Sequence, residues 1–253
     1  PLMVRLAKHV GLDREINRRV EVLKMHCPYH ESDHVLNLAV NALCGGTRLQ
    51  DIEMRRNDEV FLDALGVSAI PDPTTAGDFC RRFSENDIRD LLGAINAARI
   101  NVWKEQDHGF FDEAVVDFDG VIVETTGECK QGMDISYDGR WGYHPLLVSL
   151  ANTSEPLSIV NRSANRPSEE GAWKEADDMI PYLRGAGFRS IRLRGDTKFS
   201  QTEHLDRWDT DNVIFQVGYQ ENSAVKSRAE SFHDEKWEEL ERSPKYQVSS
   251  GPR

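Results

Sequence analysis

The stretch VVDFDGVIV at residues 115–123 decides the fold prediction. It is apolar and rich in β-branched residues, a composition typical of a buried strand. Asp117 and Asp119 stand two positions apart in it, so on a strand their side chains share one face. A buried carboxylate is unfavourable unless it is paired, hydrogen-bonded or bound to a metal ion. The pattern therefore predicts a strand over residues 113–124 that carries functional acids.

A second acidic strand end lies far along the chain. The sequence SIRLRGD at residues 190–196 predicts a short strand with Asp196 at its carboxyl end. If the two strands are neighbours, Asp119 and Asp196 meet and can bind Mg²⁺ (or Mn²⁺), which prefers carboxylate oxygens. Asp117 is a further candidate ligand, because alternation along the strand does not separate it from Asp119. The alternative is that each aspartate only caps a turn or helix.

The character of the sequence changes near residue 110. Residues 1–110 show helical periodicity, whereas residues 111–253 predict the order β-β-β-α-β-α-β. Residues 144–151 and 157–161 flank a turn and predict an antiparallel hairpin. We therefore expect an α/β fold with a mixed sheet over 111–253, preceded by an all-helical region over 1–110. In that region, a helix that begins at Ser32 or Asp33 is expected to bury Val35, Leu36, Ala39, Val40 and Leu43.

Composition limits the function classes. The chain has 253 residues, a net charge of −12 and four cysteines without a CxxC pair, which is typical of reduced thiols in the cytoplasm. No signal peptide or membrane-spanning run is visible. The acidic balance argues mildly against nucleic acid as a partner, although a local basic surface can still bind phosphates. Because the chain begins with Pro1 and not with Met, we expect a fragment of a longer protein.

Two further groups of residues invite functional interpretations. Basic side chains that could contact a phosphate backbone are Arg81, Arg82, Arg162, Arg166, Arg194 and Lys198. The alternative for them is a solvated surface with scattered ion pairs. The second group is His26, Cys27, His30 and His34, whose spacing fits no common structural zinc site.

Residues 116–125 resemble the opening motif of the haloacid-dehalogenase-like phosphatases, DxDG followed by hydrophobic residues and a Thr. That resemblance implies that Asp117 is a nucleophile and Asp119 a general acid/base. In that family the motif follows the first strand of a parallel sheet. Here it leads into a predicted antiparallel hairpin after a long helical region, so the match is local.

A second resemblance covers nearly the whole chain. The sequence is similar to the DDE transposases of bacterial insertion sequences, the group 1 branch of the transposase DDE domain. The similar segments are residues 32–82, 117–119, 124–132, 142–147, 162–165 and 194–199. The resemblance implies an RNase H-like fold, which agrees with the predicted strand order.

The transposase resemblance also implies a function. Asp119 and Asp196 would be the first two catalytic, metal-binding carboxylates of divalent-metal-dependent DNA cleavage and strand transfer at transposon ends. The partners would be transposon-end and target DNA and a second subunit, in the bacterial cytoplasm with the nucleoid. No segment clearly supplies the family's third acid, a Glu on a later helix. We therefore expect the chain to stop before it and to be inactive alone in DNA cleavage.

Overall fold

The computed structural model describes residues 2–127, 130–219, 221–233 and 236–238. Helices fill the first part of the chain and then alternate with strands. They are α1 (Leu2–His9), α2 (Leu12–Arg19), α3 (Glu31–Leu43), α4 (Ile52–Arg56), α5 (Glu59–Leu65), α6 (Pro73–Cys80), α7 (Glu85–Trp103), α8 (Ala172–Ala186), α9 (Leu205–Thr210) and α10 (Ser223–Glu230). The strands are β1 (Glu113–Gly120), β2 (Val123–Glu124), β3 (Asp134–Ile135), β4 (Trp141–Tyr143), β5 (Leu146–Leu150), β6 (Glu155–Val160), β7 (Ser190–Gly195) and β8 (Val213–Val217).

Five of these strands form the central sheet, in the order β6-β5-β1-β7-β8. β5 and β6 pair as an antiparallel hairpin, and β5 is antiparallel to β1. β1, β7 and β8 run parallel. With α8 between β6 and β7, and α9 between β7 and β8, this is the RNase H-like arrangement that the sequence predicted. The α/β prediction with a mixed sheet is confirmed.

The first strand is shorter than predicted. β1 ends at Gly120, and residues 123–124 belong to a separate three-stranded sheet with the order β2-β4-β3. The chain turns away after Gly120, where the N–H of Val121 donates to the carbonyl of Pro145. The prediction of one strand over 113–124 is therefore wrong at its carboxyl end. The acids at 117 and 119 nevertheless remain on the strand.

One face of the central sheet carries the main core. Ala114, Val116 and Phe118 alternate along β1 and are buried together with Leu183 of α8 and Leu193 of β7. Alternate residues of β1 point to the opposite face. There Glu113 forms an ion pair with Arg192, and both side chains are about one third exposed. The apolar positions therefore fix β1 beside β7, and the acids are left on the open face.

The helical region joins the core through α7. Trp103, at the end of α7, belongs to the main core cluster, whereas Ile16 and Ile52 are the centres of two smaller clusters within the helical region. Arg99 of α7 donates to Glu155 of β6 at 2.7 Å. The division between residues 110 and 111 remains a prediction. α7 lies before that division in the chain and packs against the α/β core through Trp103.

Candidate metal centre at the ends of two parallel strands

Asp119 and Asp196 lie side by side at the carboxyl edge of the sheet. The register pairs Asp117 with Arg194 and Phe118 with Gly195, so the next positions along β1 and β7 are Asp119 and Asp196. Neighbouring strands are about 4.8 Å apart, and residues in register on parallel strands point to the same face. The condition set from the sequence, that these two strands are neighbours, is met.

An open cleft of about 630 Å³ lies over this edge. Its lining comes from three adjacent parallel strands. The lining residues are Asp117, Phe118, Asp119, Arg194, Gly195, Asp196, Gln216, Val217 and Gly218. The carboxyl ends of parallel strands thus place two exposed carboxylates, Asp119 and Asp196, in one open cleft.

Each carboxylate is fixed by one local hydrogen bond. Oδ1 of Asp119 accepts from the N–H of Gly120 at 2.8 Å, and Oδ1 of Asp196 accepts from the N–H of Lys198 at 2.8 Å. Within the described ranges, neither side chain forms an ion pair, and neither Oδ2 accepts a hydrogen bond. Two adjacent carboxylates without a cationic partner form an oxygen donor set that suits Mg²⁺ or Mn²⁺. The residues present therefore fit a hard divalent cation.

Asp117 has a different environment from Asp119. Arg194 binds it with two hydrogen bonds, from Nε to Oδ1 at 2.6 Å and from Nη2 to Oδ2 at 2.7 Å. The hydrogen bonds from Arg194 to Asp117 raise the pKa of the guanidinium group above its ordinary value. Both oxygens of Asp117 are thus occupied by a side chain of the neighbouring strand. Sequence alternation alone could not reveal this difference, because Asp117 and Asp119 share a face.

The predicted basic residues differ in their position relative to the cleft. Arg194 is paired with Asp117 and lines the cleft. Lys198 is exposed just after Asp196, and Arg166 is exposed and paired with Glu170.

The other predicted cations lie apart from the cleft or point into the protein. Arg81, just after α6, forms an ion pair with Asp78. Arg82 donates a hydrogen bond to the carbonyl of Val22. Arg162 donates to the carbonyls of His144 at 3.0 Å and Glu170 at 2.6 Å, and burial lowers the pKa of its guanidinium group.

Sequence reasoning missed a buried residue next to Gly120. His144 is buried, and its Nδ1 lies 2.8 Å from the carbonyl oxygen of Arg166. A Cβ at Gly120 would come within 2.5 Å of Nε2 of His144, so only glycine fits after Asp119. The Asp-Gly pair in the sequence was the available signal for this close approach.

Among the described residues, no third acid joins Asp119 and Asp196 in a compact group. The compact group of potential metal ligands found there consists of His26, His30 and Glu31, in the helical region. Glu221 and Glu230, the later acids considered from the sequence, lie before and at the end of α10. The position of a third acid therefore stays a prediction.

The fold and the acidic pair define an RNase H-like domain with carboxylates at adjacent strand ends. The model of one family, transposase DDE domain group 1, matches residues 2–250. The chain belongs to this family. The phosphatase interpretation gains no support, because β1 lies next to an antiparallel strand and Asp117 is held by Arg194.

Comparison with solved structures found several transposase complexes. A piggyBac transposase synaptic complex with hairpin DNA is 12% identical, with 92% of this chain and 52% of that chain covered and a TM-score of 0.42. A Mos1 transposase paired-end complex with the left transposon end is 9% identical, with 80% and 72% covered and a TM-score of 0.27. A Drosophila P element transposase strand transfer complex is 13% identical, with 72% and 47% covered and a TM-score of 0.28.

The chain therefore spans about half the length of the piggyBac transposase chain that it matches. A search of curated protein sequences found no match. Among the described residues, no helix combines the length and the apolar composition needed to cross a bilayer.

Proposed function

We propose that this chain contains the metal-binding part of a transposase that cleaves DNA at transposon ends and transfers the cut strand. The observation that carries the proposal is the adjacent pair Asp119 and Asp196, on strand ends of an RNase H-like sheet in a chain of the transposase DDE domain family. We further propose that it acts on DNA in the bacterial cytoplasm, as a pair of subunits.

In this proposal Asp119 and Asp196 would hold Mg²⁺ or Mn²⁺. A bound divalent cation would supply activation of water and stabilisation of the leaving oxygen during phosphoryl transfer. The hydrogen bonds from Gly120 and Lys198 orient the two carboxylates. Asp117 and Arg194 act as positioning residues, because their bidentate pair crosses from β1 to β7 two register steps before the two acids.

Metal binding provides the first test. Mn²⁺ binding to the full chain is measured by electron paramagnetic resonance for the wild type, Asp119→Asn and Asp196→Asn. Asp209→Asn is the matched control, because Asp209 is exposed on α9 and outside the cleft. We expect each cleft variant to lose binding by more than tenfold and the control to bind like the wild type. Equal binding by all four proteins would exclude the acidic pair as the metal site.

DNA binding provides the second test. Lys198 is an exposed cation beside the cleft, and Arg166 is an exposed cation between β6 and α8. We propose that both side chains contact phosphates. Lys198→Gln should lower DNA affinity regardless of sequence, and the number of ions released on binding should fall by about one. Lys104→Gln, at an exposed position just after α7, is the control. An unchanged salt dependence in Lys198→Gln would contradict this contact.

A cleavage assay tests the expectation that this chain alone is inactive. The described residues bring two carboxylates together, so we expect Mn²⁺ binding without nicking of supercoiled DNA that carries transposon ends. Robust metal-dependent nicking that is lost in Asp119→Asn would contradict the expected inactivity and support the proposed reaction. Nicking that persists in Asp119→Asn would point to a contaminating nuclease.

A further inference from the structure

A second group of potential metal ligands lies at the start of α3, in the helical region. His26, His30 and Glu31 each offer one ligand atom, and these atoms all lie within 4.8 Å of one another. The rings of His26 and His30 are stacked, with centroids 5.4 Å apart and planes 16° from parallel. The structure thus brings together two of the four residues singled out in the sequence and adds a glutamate. His34 is separate, because its buried ring stacks on Phe79.

Glu31 is the fixed member of the group. Its side chain is 1% exposed, and its Oε1 accepts hydrogen bonds from the N–H groups of Val22 at 3.3 Å and Leu23 at 3.1 Å. Its Oε2 lies 3.2 Å from Nδ1 of His26. A buried carboxylate needs a compensating partner, and here that partner is an exposed imidazole. The carboxylate is therefore preorganised toward the side on which both histidines lie.

We propose that His26, His30 and Glu31 bind a transition-metal ion of the Zn²⁺ type. Two imidazole nitrogens and one carboxylate oxygen form a ligand set that zinc accepts, with a fourth position left for water. Ligands at zinc distances in a tetrahedral site lie about 3.3 Å from one another, close to the contact between His26 and Glu31. The exposed ring of His30 completes the set by a side-chain rotation. The donor set differs from that of the strand site, which offers carboxylates alone.

A bound metal ion would link the irregular segment 20–30, through His26 and His30, to Glu31 in the first turn of α3. This segment joins α2 to α3 and contacts Glu31 through backbone N–H groups. Among the described residues of the helical region, the apolar clusters around Ile16 and Ile52 are small. A ligand that binds only the folded state raises the free energy of unfolding, and the rise grows with the logarithm of the ratio of ligand concentration to dissociation constant. Zn²⁺ should therefore raise the unfolding temperature of the protein.

The experiment uses the full chain, freed of metal with a chelator, in an Asp119→Asn/Asp196→Asn background that removes the strand site. Zn²⁺ alone is titrated by calorimetry, and thermal unfolding is followed with and without Zn²⁺. The test variants are His26→Gln and His30→Gln, both at exposed positions, and the matched control is the exposed His108→Gln. Circular dichroism establishes that each variant is folded.

We expect the background protein and its His108→Gln form to bind one Zn²⁺ per chain. In His26→Gln and His30→Gln the affinity should fall by more than roughly tenfold, since even changes to groups that only support a ligand cost 10–100-fold. The rise in unfolding temperature with Zn²⁺ should disappear in the same two variants. Absence of stoichiometric binding in the background protein, or equal affinity in all folded variants, would overturn the proposal.

Discussion

The α/β core and the helical region differ in the size of their apolar clusters, and one helix of the helical region buries a row of polar side chains. The core is one continuous apolar cluster that runs from Trp103 to Val213. In the helical region, α3 buries polar side chains: Glu31, Ser32, His34, Asn37 and Asn41. Burial of a polar group costs free energy unless a partner forms a hydrogen bond with it. Apolar packing, in contrast, tolerates many different apolar neighbours. The core therefore provides a rigid base for the acidic pair, and the helical region depends on individual contacts.

The difference teaches that the proposed site and the residues that stabilise the fold are separate in the core. Asp119 and Asp196 are exposed beyond the last buried residues of their strands. Among the described residues neither carboxylate forms an ion pair, and each accepts one hydrogen bond from a nearby backbone N–H, so these acids do not contribute to folding as ion pairs do. Stability and metal chemistry should consequently respond to different substitutions.

The largest effect is expected at the acidic pair. In a transposase that contains this domain, Asp119→Asn or Asp196→Asn should lower metal-dependent DNA cleavage by about 10³-fold or more, a loss typical of removing a key electrostatic group. The unfolding temperature should change little, because both side chains are exposed and neither forms an ion pair among the described residues. Cleavage rates and thermal unfolding of the same preparations check both points. A large drop in unfolding temperature would show that the acids support the fold.

The second effect tests the junction between the two regions. Glu155 of β6 accepts hydrogen bonds from Arg99 at 2.7 Å and from Trp103 at 2.9 Å. Burial alone would raise its pKa, but hydrogen bonds from Thr153 and Trp103 and the charge of Arg99 outweigh burial and hold the pKa below its ordinary value. Glu155→Gln should destabilise the protein by about 3 kcal/mol, because it leaves the buried charge of Arg99 unpaired.

Urea unfolding at pH 7 measures this loss. Since the pKa of Glu155 is lower in the folded state, its contribution is present above about pH 4.5 and lost as the pH falls below that value. The matched control is Asp112→Asn, whose ion pair with Arg189 is more than half exposed on both sides and should matter little. Equal effects of the two substitutions would mean that α7 does not depend on this contact.

The sequence predicted the core better than the helical region, for physical reasons. In β1, β5 and β7 the buried positions alternate, and apolar residues occupy them, so the pattern alone identifies the strands. Parallel pairing then brings the ends of β1 and β7 together. The pairing of Asp117 with Arg194 was not predictable, because it depends on the register between strands 77 residues apart.

The expected apolar face of α3 was wrong. Leu43 is 63% exposed and Ala39 is also exposed, whereas Asn37 is buried and donates to the carbonyl of Pro71 at 3.0 Å. The helix begins at Glu31, before the predicted caps, because residue 31 is held by the backbone of the preceding segment. Partners that lie 8 to 34 residues away decide this face, and hydrophobic periodicity contains no information about them.

The third effect tests how closely the core is packed next to Asp196. A Cβ at Gly195 would come within 2.7 Å of Cβ of Phe199, which is buried. Gly195→Ala should cost about 2 kcal/mol by overpacking and should displace Asp196, so Mn²⁺ affinity falls as well. Gly185→Ala in α8 is the control, since no atom lies within 4 Å of its added Cβ and alanine favours a helix. Urea unfolding and Mn²⁺ titration of both variants give the comparison.

The smallest effect is expected from His34, in the helical region. Its ring is 3% exposed and stacks on Phe79 with centroids 4.4 Å apart, and burial lowers its pKa below the ordinary value. In the unfolded chain the histidine takes up a proton near pH 6.5, whereas in the folded protein its lowered pKa moves protonation to a lower pH, so stability should decline as the pH falls below 6.5. Above pH 6.5 the residue should contribute no pH dependence.

His34→Phe keeps an aromatic ring on Phe79 and removes the titrating group. It also removes Nδ1, a buried nitrogen without a hydrogen-bond partner among the described residues. We expect stability at pH 8 to be equal or higher and the decline below pH 6.5 to become shallower, whereas the exposed His9→Gln should keep the wild-type slope. Urea unfolding between pH 5 and 8, with a chelator present, makes the measurement. If the free energy of unfolding falls equally with pH in the wild type, His34→Phe and His9→Gln, groups other than His34 cause the loss of stability in acid.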